Sequence, residues 1–187
     1  MSGTAQQPAQ RRGAAPSGTE PAAVSGTDHW QARVDALWAR VDGLEREAAV
    51  AEMRELAEAY PGDDGRAAFE LAGMYDSQGF EHEAEREYER ALELGLPAEQ
   101  HAQLAVQYGS TLRNTGRLDD AIAVLEAAPT HPSTGSAPRV FLALALHSAG
   151  RHDEARRVVV EAVEPTLPRY NRSVRAYAEA LTDPSAT

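Results

Sequence analysis

The 187-residue sequence contains no cysteine and no lysine, so all 18 of its basic residues are arginine. Without cysteine there is no disulfide framework, no thiolate metal site and no cysteine nucleophile. Without lysine there is no phosphate-binding loop of the G-x-x-x-x-G-K type. Basic charge is scarce beside 29 acidic residues, and the net charge is −11. This balance argues against a nucleic-acid binder, whose phosphate contacts need a basic surface. Long apolar runs are missing too. The longest, residues 140–146, has seven residues, where a membrane-spanning helix needs about 20. The first 27 residues lack the apolar core of a secretory signal. No membrane segment is expected, and a cytoplasmic location is.

Aromatic residues are few, at 6%, while alanine is abundant, with 36 copies, alongside many glutamates. That composition favours helix. Exclusive arginine with abundant alanine suggests a GC-rich bacterial genome. The length suits one compact domain plus a tail. Beyond Met1, residues 1–27 hold one large apolar side chain, Val24, mostly among Pro, Ala, Gly, Ser, Thr and Gln. Such a stretch cannot bury enough surface to offset its ordering entropy, so it is expected to be a disordered tail. Its Arg11 and Arg12 read as solvated charges or as a contact point. The folded domain is expected over residues 28–183.

From Asp28 the pattern is helical. Trp30, Val34, Leu37, Trp38, Val41 and Leu44 follow a 3.6-residue period, with Thr27 or Asp28 as cap and Gly43 as stop. A second helix is expected from Glu45 to Tyr60, with Val50, Met53, Leu56, Ala57 and Tyr60 inside and Pro61-Gly62 ending it. Three later segments match one another. Aligned on Gly79, Gly116 and Gly150, they are offset by 37 and 34 residues. Ala84, Ala121 and Ala155 fall in register, as do the small residues Ala72, Gly109 and Ala143 and the larger Tyr75, Leu112 and Leu146. Each segment reads as a helix with a small residue where its partner crosses, then a glycine whose positive φ suits a tight turn. A second helix follows, opening with acidic residues at its positive end. One such hairpin cannot bury its own apolar face, so the units must stack.

The order of large apolar, small, Tyr or Leu, Gly, Ala, Tyr, Ala and Pro resembles the tetratricopeptide repeat, a helix-turn-helix unit of about 34 residues. The runs STLRNTGRLDDA and AGRHDEA look like a small bacterial group of four-unit proteins of this family. The resemblance implies an all-α fold, a right-handed α-solenoid of helical hairpins with a C-terminal capping helix. The units are expected at about 28–62, 63–97, 98–131 and 136–167. The capping helix is expected at 168–181, with Tyr170, Val174, Tyr177 and Leu181 covering the last apolar face. Where the family often carries Trp or Leu, this chain has Ala68, Ala105 and Arg139, and the Pro-Ser-Gly stretch at 129–138 separates the last two units.

In the resembling family the first helix of each unit lines a concave groove. That register places Arg66, Phe69, Gly73, Asp76 and Ser77 there, then Gln103, Val106, Ser110, Arg113 and Asn114, then Ala137, Val140, Leu144 and His147. Family members that bind chaperone tails clamp a terminal carboxylate with Lys, Asn and Arg. The matching places here hold Phe69, Gly73, Gln107, Ala137 and Phe141, which disfavours that ligand. Arg113, flanked by Ser110 and Asn114, reads either as a carboxylate-binding group or as a structural ion-pair or capping residue. Elsewhere the signals are bland. The six histidines form no H-E-x-x-H set. His147 and His152 are five apart across a turn and share no helix face. Glu81, His82 and Glu83 point in different directions, reading as a polar helix start rather than a metal site. The row Glu81, Glu85, Glu89 and Glu93 reads as a solvated face, or as a docking strip for a basic partner.

The function expected is a non-catalytic protein–protein interaction module, without metal or cofactor, holding a peptide or protein segment in its groove. The alternative is a structural protein that self-associates end to end. Residues 45–93 carry a net −10 and residues 151–175 a net +2, so the acidic end of one copy would meet the basic end of another.

Overall fold

The computed structural model describes residues 25–183, so the segment carrying Arg11 and Arg12 lies outside it. Residues 25–27, expected in the tail, instead begin the first helix. Helix α1 runs Gly26–Trp38 with Ser25 as its cap. The Ser25 hydroxyl accepts from the Asp28 N–H at 3.1 Å, and the Asp28 carboxylate accepts from the Ser25 N–H at 3.2 Å. This reciprocal pair satisfies two end donors and moves the cap from Thr27 or Asp28 to Ser25. The helix also stops early, at Trp38, and Val41–Gly43 form a 3-10 turn. Residues three apart eclipse in that geometry. Val41 and Leu44 therefore stay against the same core as Trp30, Val34 and Leu37, and the apolar period runs on through a change of helix type. Gly43 keeps a negative φ.

Helix α2, Arg46–Glu58, buries Ala49, Val50, Met53 and Leu56. Three hairpins follow: α3 (Arg66–Ser77) with α4 (Glu81–Leu94), α5 (Ala98–Asn114) with α6 (Leu118–Glu126), and α7 (Ala137–Ser148) with α8 (His152–Val163). Their turns share one construction. Gly79, Gly116 and Gly150 take φ of 74°, 83° and 77°. The next N–H, of Phe80, Arg117 and Arg151, returns to the carbonyl of Tyr75, Leu112 and Leu146 at 2.9 Å in each case. This is the Schellman closure, in which a left-handed residue lets the chain reverse while satisfying the last carbonyls. The small residue in each first helix, Ala72, Gly109 and Ala143, is buried, and at Gly109 packing leaves no room for a side chain. A Cβ on Gly109 would lie 2.5 Å from Leu125 Cγ.

Helix α3 packs on α2, α5 packs on both α3 and α4, and α7 packs on both α5 and α6. The result is an all-α solenoid of stacked hairpins, with no strand among the described residues. The 129–138 stretch does not open the stack, because α6 still packs on α7. The core forms two adjoining clusters, one from Trp30 to Met74 and one from Ala68 to Ala155, and Tyr75 touches both.

Helix α9 spans Asn171–Ala180, three residues shorter at its start than expected. Its expected stripe packs only in part, with Val174 half-buried. Tyr170 and Tyr177 are largely exposed, while Ala178 is buried. The Asn171 amide donates to the Glu164 carbonyl at 2.7 Å, and Arg175 pairs with the buried Glu164 carboxylate at 2.8 Å. Arg157 donates to Thr182 at 2.9 Å. These anchors turn the helix so that its aromatic side faces water. Among the described residues no helix is long and apolar enough to cross a membrane.

Candidate functional site

The first helices α1, α3 and α5 lay their side chains along one face, where a cavity of about 410 Å³ opens. Five residues of the expected groove line it: Phe69, Gly73, Asp76 and Ser77 from α3, and Gln103 from α5. Trp38, Glu70, Tyr88 and Gln107 complete the wall. The Trp38 indole N–H donates to Glu70 Oε2 at 2.8 Å, and the Tyr88 hydroxyl donates to Gln107 Oε1 at 3.1 Å. Gly73 keeps the floor open between Trp38 and Gln107, since a Cβ there would stand 3.5 Å from the indole and 3.6 Å from the amide oxygen.

Two half-buried carboxylates dominate the electrostatics. Burial raises the pKa of Glu70, and the charge of Asp35 adds to that rise while hydrogen bonds from Trp38 and Gln31 oppose it. Burial also raises Asp76, with Glu81 adding and a Thr111 hydrogen bond opposing. Tyr88 is raised by burial and then by the charges of Asp76 and Glu70. No arginine enters among these causes, so the cavity is an acidic pocket walled by Trp38 and Phe69.

Other expected groove residues are placed differently. Arg66 is not in the cavity. Its guanidinium pairs with Asp64 at 3.0 Å and lies 5.4 Å from the Tyr60 ring centre, so it pins α3 to the end of α2. Val106 and Ser110 are half-buried further along the face, and Val140 is exposed. Arg113 ties α5 to the end of α7. Its Nε donates to Ser148 Oγ at 2.9 Å and to the Leu144 carbonyl at 3.3 Å, while Nη1 reaches Asn114 at 3.4 Å. A guanidinium already bonded to a side chain and a carbonyl of the neighbouring helix is a structural tie. The geometry supports that reading of Arg113 over a carboxylate clamp. Leu144 and His147 open instead onto a separate groove at the end of the stack, together with residues of α8. There His147 and His152, which share no helix face, are joined by the turn, with Nδ1 atoms 3.2 Å apart.

The glutamate row on α4 is not a free strip. Glu85 is buried and pairs with Arg117 at 2.9 Å, and Arg117 also lies 3.7 Å from Glu89 and 2.9 Å from Asp120. The Tyr108 hydroxyl donates to Glu89 at 2.9 Å. The middle of the row therefore clamps one hairpin to the next. Sequence reasoning missed Glu70 and Trp38 as cavity residues. Trp38 is read there only as part of an apolar stripe, although its N–H needs a partner when half-buried, and that need was the available signal.

Residues 65–181 match the family model described as Tetratrico peptide repeat. No curated protein and no solved structure matches the chain.

Proposed function

The chain belongs to the tetratricopeptide repeat family, and from that premise we propose that its concave face holds a segment of a partner protein, with a basic side chain seated between Glu70 and Asp76. Repeats of this family serve protein–protein interaction, as a rule without catalysis. One observation carries the finer reading. Two half-buried carboxylates share a cavity, and among the described residues neither is ion-paired with an arginine. Burial has weakened the solvation of both, and a guanidinium or ammonium would supply the charge that water no longer does. The Trp38 ring offers a face to the same cation. Gln103 and Gln107 offer amide groups to the backbone of an extended segment.

The test is selection of a random peptide library on the full chain, repeated with Glu70→Gln and Asp76→Asn. The expected winners share an Arg or Lys at one position, and each variant weakens them about tenfold or more, the loss that follows when one partner of a desolvated charge pair is removed. Winners without a basic residue, or equal binding by all three proteins, would overturn the reading.

A further inference from the structure

The end of the stack holds an unfilled helix slot. Between α7 and α8 a groove of about 650 Å³ is lined by Ala143, Leu144, Ala155 and Val159, with His147 and His152 at one end. The repeat register shows what this groove is. Val159 aligns with Tyr88 in the α3–α4 hairpin and with Leu125 in the α5–α6 hairpin. Tyr88 is 0% and Leu125 3% exposed, but Val159 is 41% exposed. The inner positions are covered because the next hairpin lays its first helix over them. The Tyr108 ring of α5 sits 5.6 Å from Tyr88, and α7 packs on α6, where Leu125 shares a buried cluster with Leu142 and Leu146. Among the described residues no next helix arrives at Val159, because α9 packs on α8 and the 3-10 turn Glu164–Thr166 without comparable packing on α7.

The same chain carries an unused plug. The helices that fill inner slots present residues at spacings of 0, 4 and 7, namely Leu104, Tyr108 and Thr111 on α5 and Pro138, Leu142 and Ala145 on α7, all buried. The C-terminal segment repeats those spacings with Tyr170, Val174 and Tyr177, extended by Leu181, yet Tyr177 is 74% exposed. The chain's own plug is held away from its own slot. Its anchor Arg157 projects about 100° around α8 from Arg156 and about 160° from Val159, at 100° per residue. The ties from Arg157 to Thr182 and from Arg175 to Glu164 fix α9 on that flank.

We infer that the slot takes the exposed side of α9 that carries Tyr177, with Tyr170 just ahead of the helix, from a second copy of this chain, and that the second copy takes this one's in return. Slot and stripe on one molecule are self-complementary, and a two-fold axis closes both contacts at once. The contact is a helix laid in an apolar groove, and it continues the hairpin-on-hairpin interface already repeated along the solenoid. It does not use the Glu70 pocket, so it stands or falls independently of the proposed ligand.

Light scattering on the full chain, with Val159→Glu and Tyr177→Glu, tests the contact. The parent is expected to reach twice the monomer mass, and each variant to raise the dimer dissociation constant at least about tenfold with unchanged helicity. Because the chain has no cysteine, Val159→Cys and Tyr177→Cys chains bearing different tags give a second readout. Mixed under oxidation, they are expected to form a disulfide between the two tagged chains. A parent that stays monomeric up to about 1 mM overturns the inference. A dimer indifferent to both substitutions overturns it too, as does a doubly substituted chain that links only within itself, since its own helix would then fill the slot.

Discussion

Gly116 sits at φ 83°, and a Cβ added to it would meet no heavy atom within 4 Å beyond its chain neighbours, so its side-chain space is open and only its backbone conformation is special. A β-branched residue there is strained without any clash. Gly116→Val should therefore cost about 1–3 kcal/mol, and Gly116→Asn, which tolerates the left-handed region, should recover much of it. Urea unfolding of the two variants separates this from a steric account, under which both would fail alike. Glu70 and Asp76 make the opposite kind of residue. Their folded pKa values are raised, chiefly by burial, so the folded protein holds these protons to higher pH than the unfolded chain does. The two groups then oppose folding once pH rises above the raised values, and the penalty fades as pH falls back through them. Glu70→Gln/Asp76→Asn should accordingly raise stability, and with it Tm, at pH 7. The gain over the parent should shrink toward pH 4. A gain independent of pH would mean that the carboxylates are not desolvated in the folded state. The repeat register places Asp76 on the groove face, but nothing in the sequence singles out Glu70. Each is a single acid on an amphipathic helix, and its meaning arises only when α1, α3 and α5 converge on one cavity.

At the scale of elements, what repeats was legible and what terminates was not. The spacing of Gly79, Gly116 and Gly150 located three turns because the left-handed conformation selects one residue type. The stripe Tyr170, Val174, Tyr177 and Leu181 located an amphipathic helix, but periodicity reports which face is apolar and not whether a partner surface lies beneath it. Asn171, Arg175 and Glu164, all polar, decided how α9 turned. The glutamate row failed for a related reason. Its meaning depends on Arg117, which reaches it from the α5–α6 turn, 32 residues away from Glu85 in sequence. That arginine bonds Glu85, Glu89 and Asp120 together, a fork that an ammonium cannot reproduce. Arg117→Ala leaves Glu85 buried without its arginine and should destabilise the fold, by less than the loss for a fully buried pair because the arginine is exposed. Adding Glu85→Gln should return part of that loss, whereas simple loss of alkyl packing by Arg117 would not be rescued. A double-mutant cycle by chemical denaturation reads the coupling directly.

Across the whole molecule the stack is a one-dimensional array, and stability in such arrays is set by neighbouring pairs. The two ends differ. At the C-terminal end α8 leaves its slot open, while at the N-terminal end α1 packs substantially on α2 alone, and α2 joins the rest through α3. The first helix and its partner bury their own cluster, Trp30, Val34, Leu37, Val50 and Met53, joined from α3 by the buried Leu71 and Met74 and the half-buried Ala67 and Tyr75. The middle hairpins are covered from both sides, and Tyr88, Leu104 and Leu112 are fully buried there. Opening α1 and α2 exposes one small cluster and breaks one junction, whereas opening α5 breaks two. Native-state hydrogen exchange should therefore find α1 and α2 opening at lower free energy than α3 to α7. Met53→Ala, which removes a fully buried side chain at about 2–5 kcal/mol, should lower protection in α1 and α2 by most of that amount. It should leave the amides of α5 and α6 nearly unchanged until the N-terminal hairpin is itself unfolded. Uniform loss of protection across all helices would instead mean that the two clusters bridged by Tyr75 unfold as one cooperative unit.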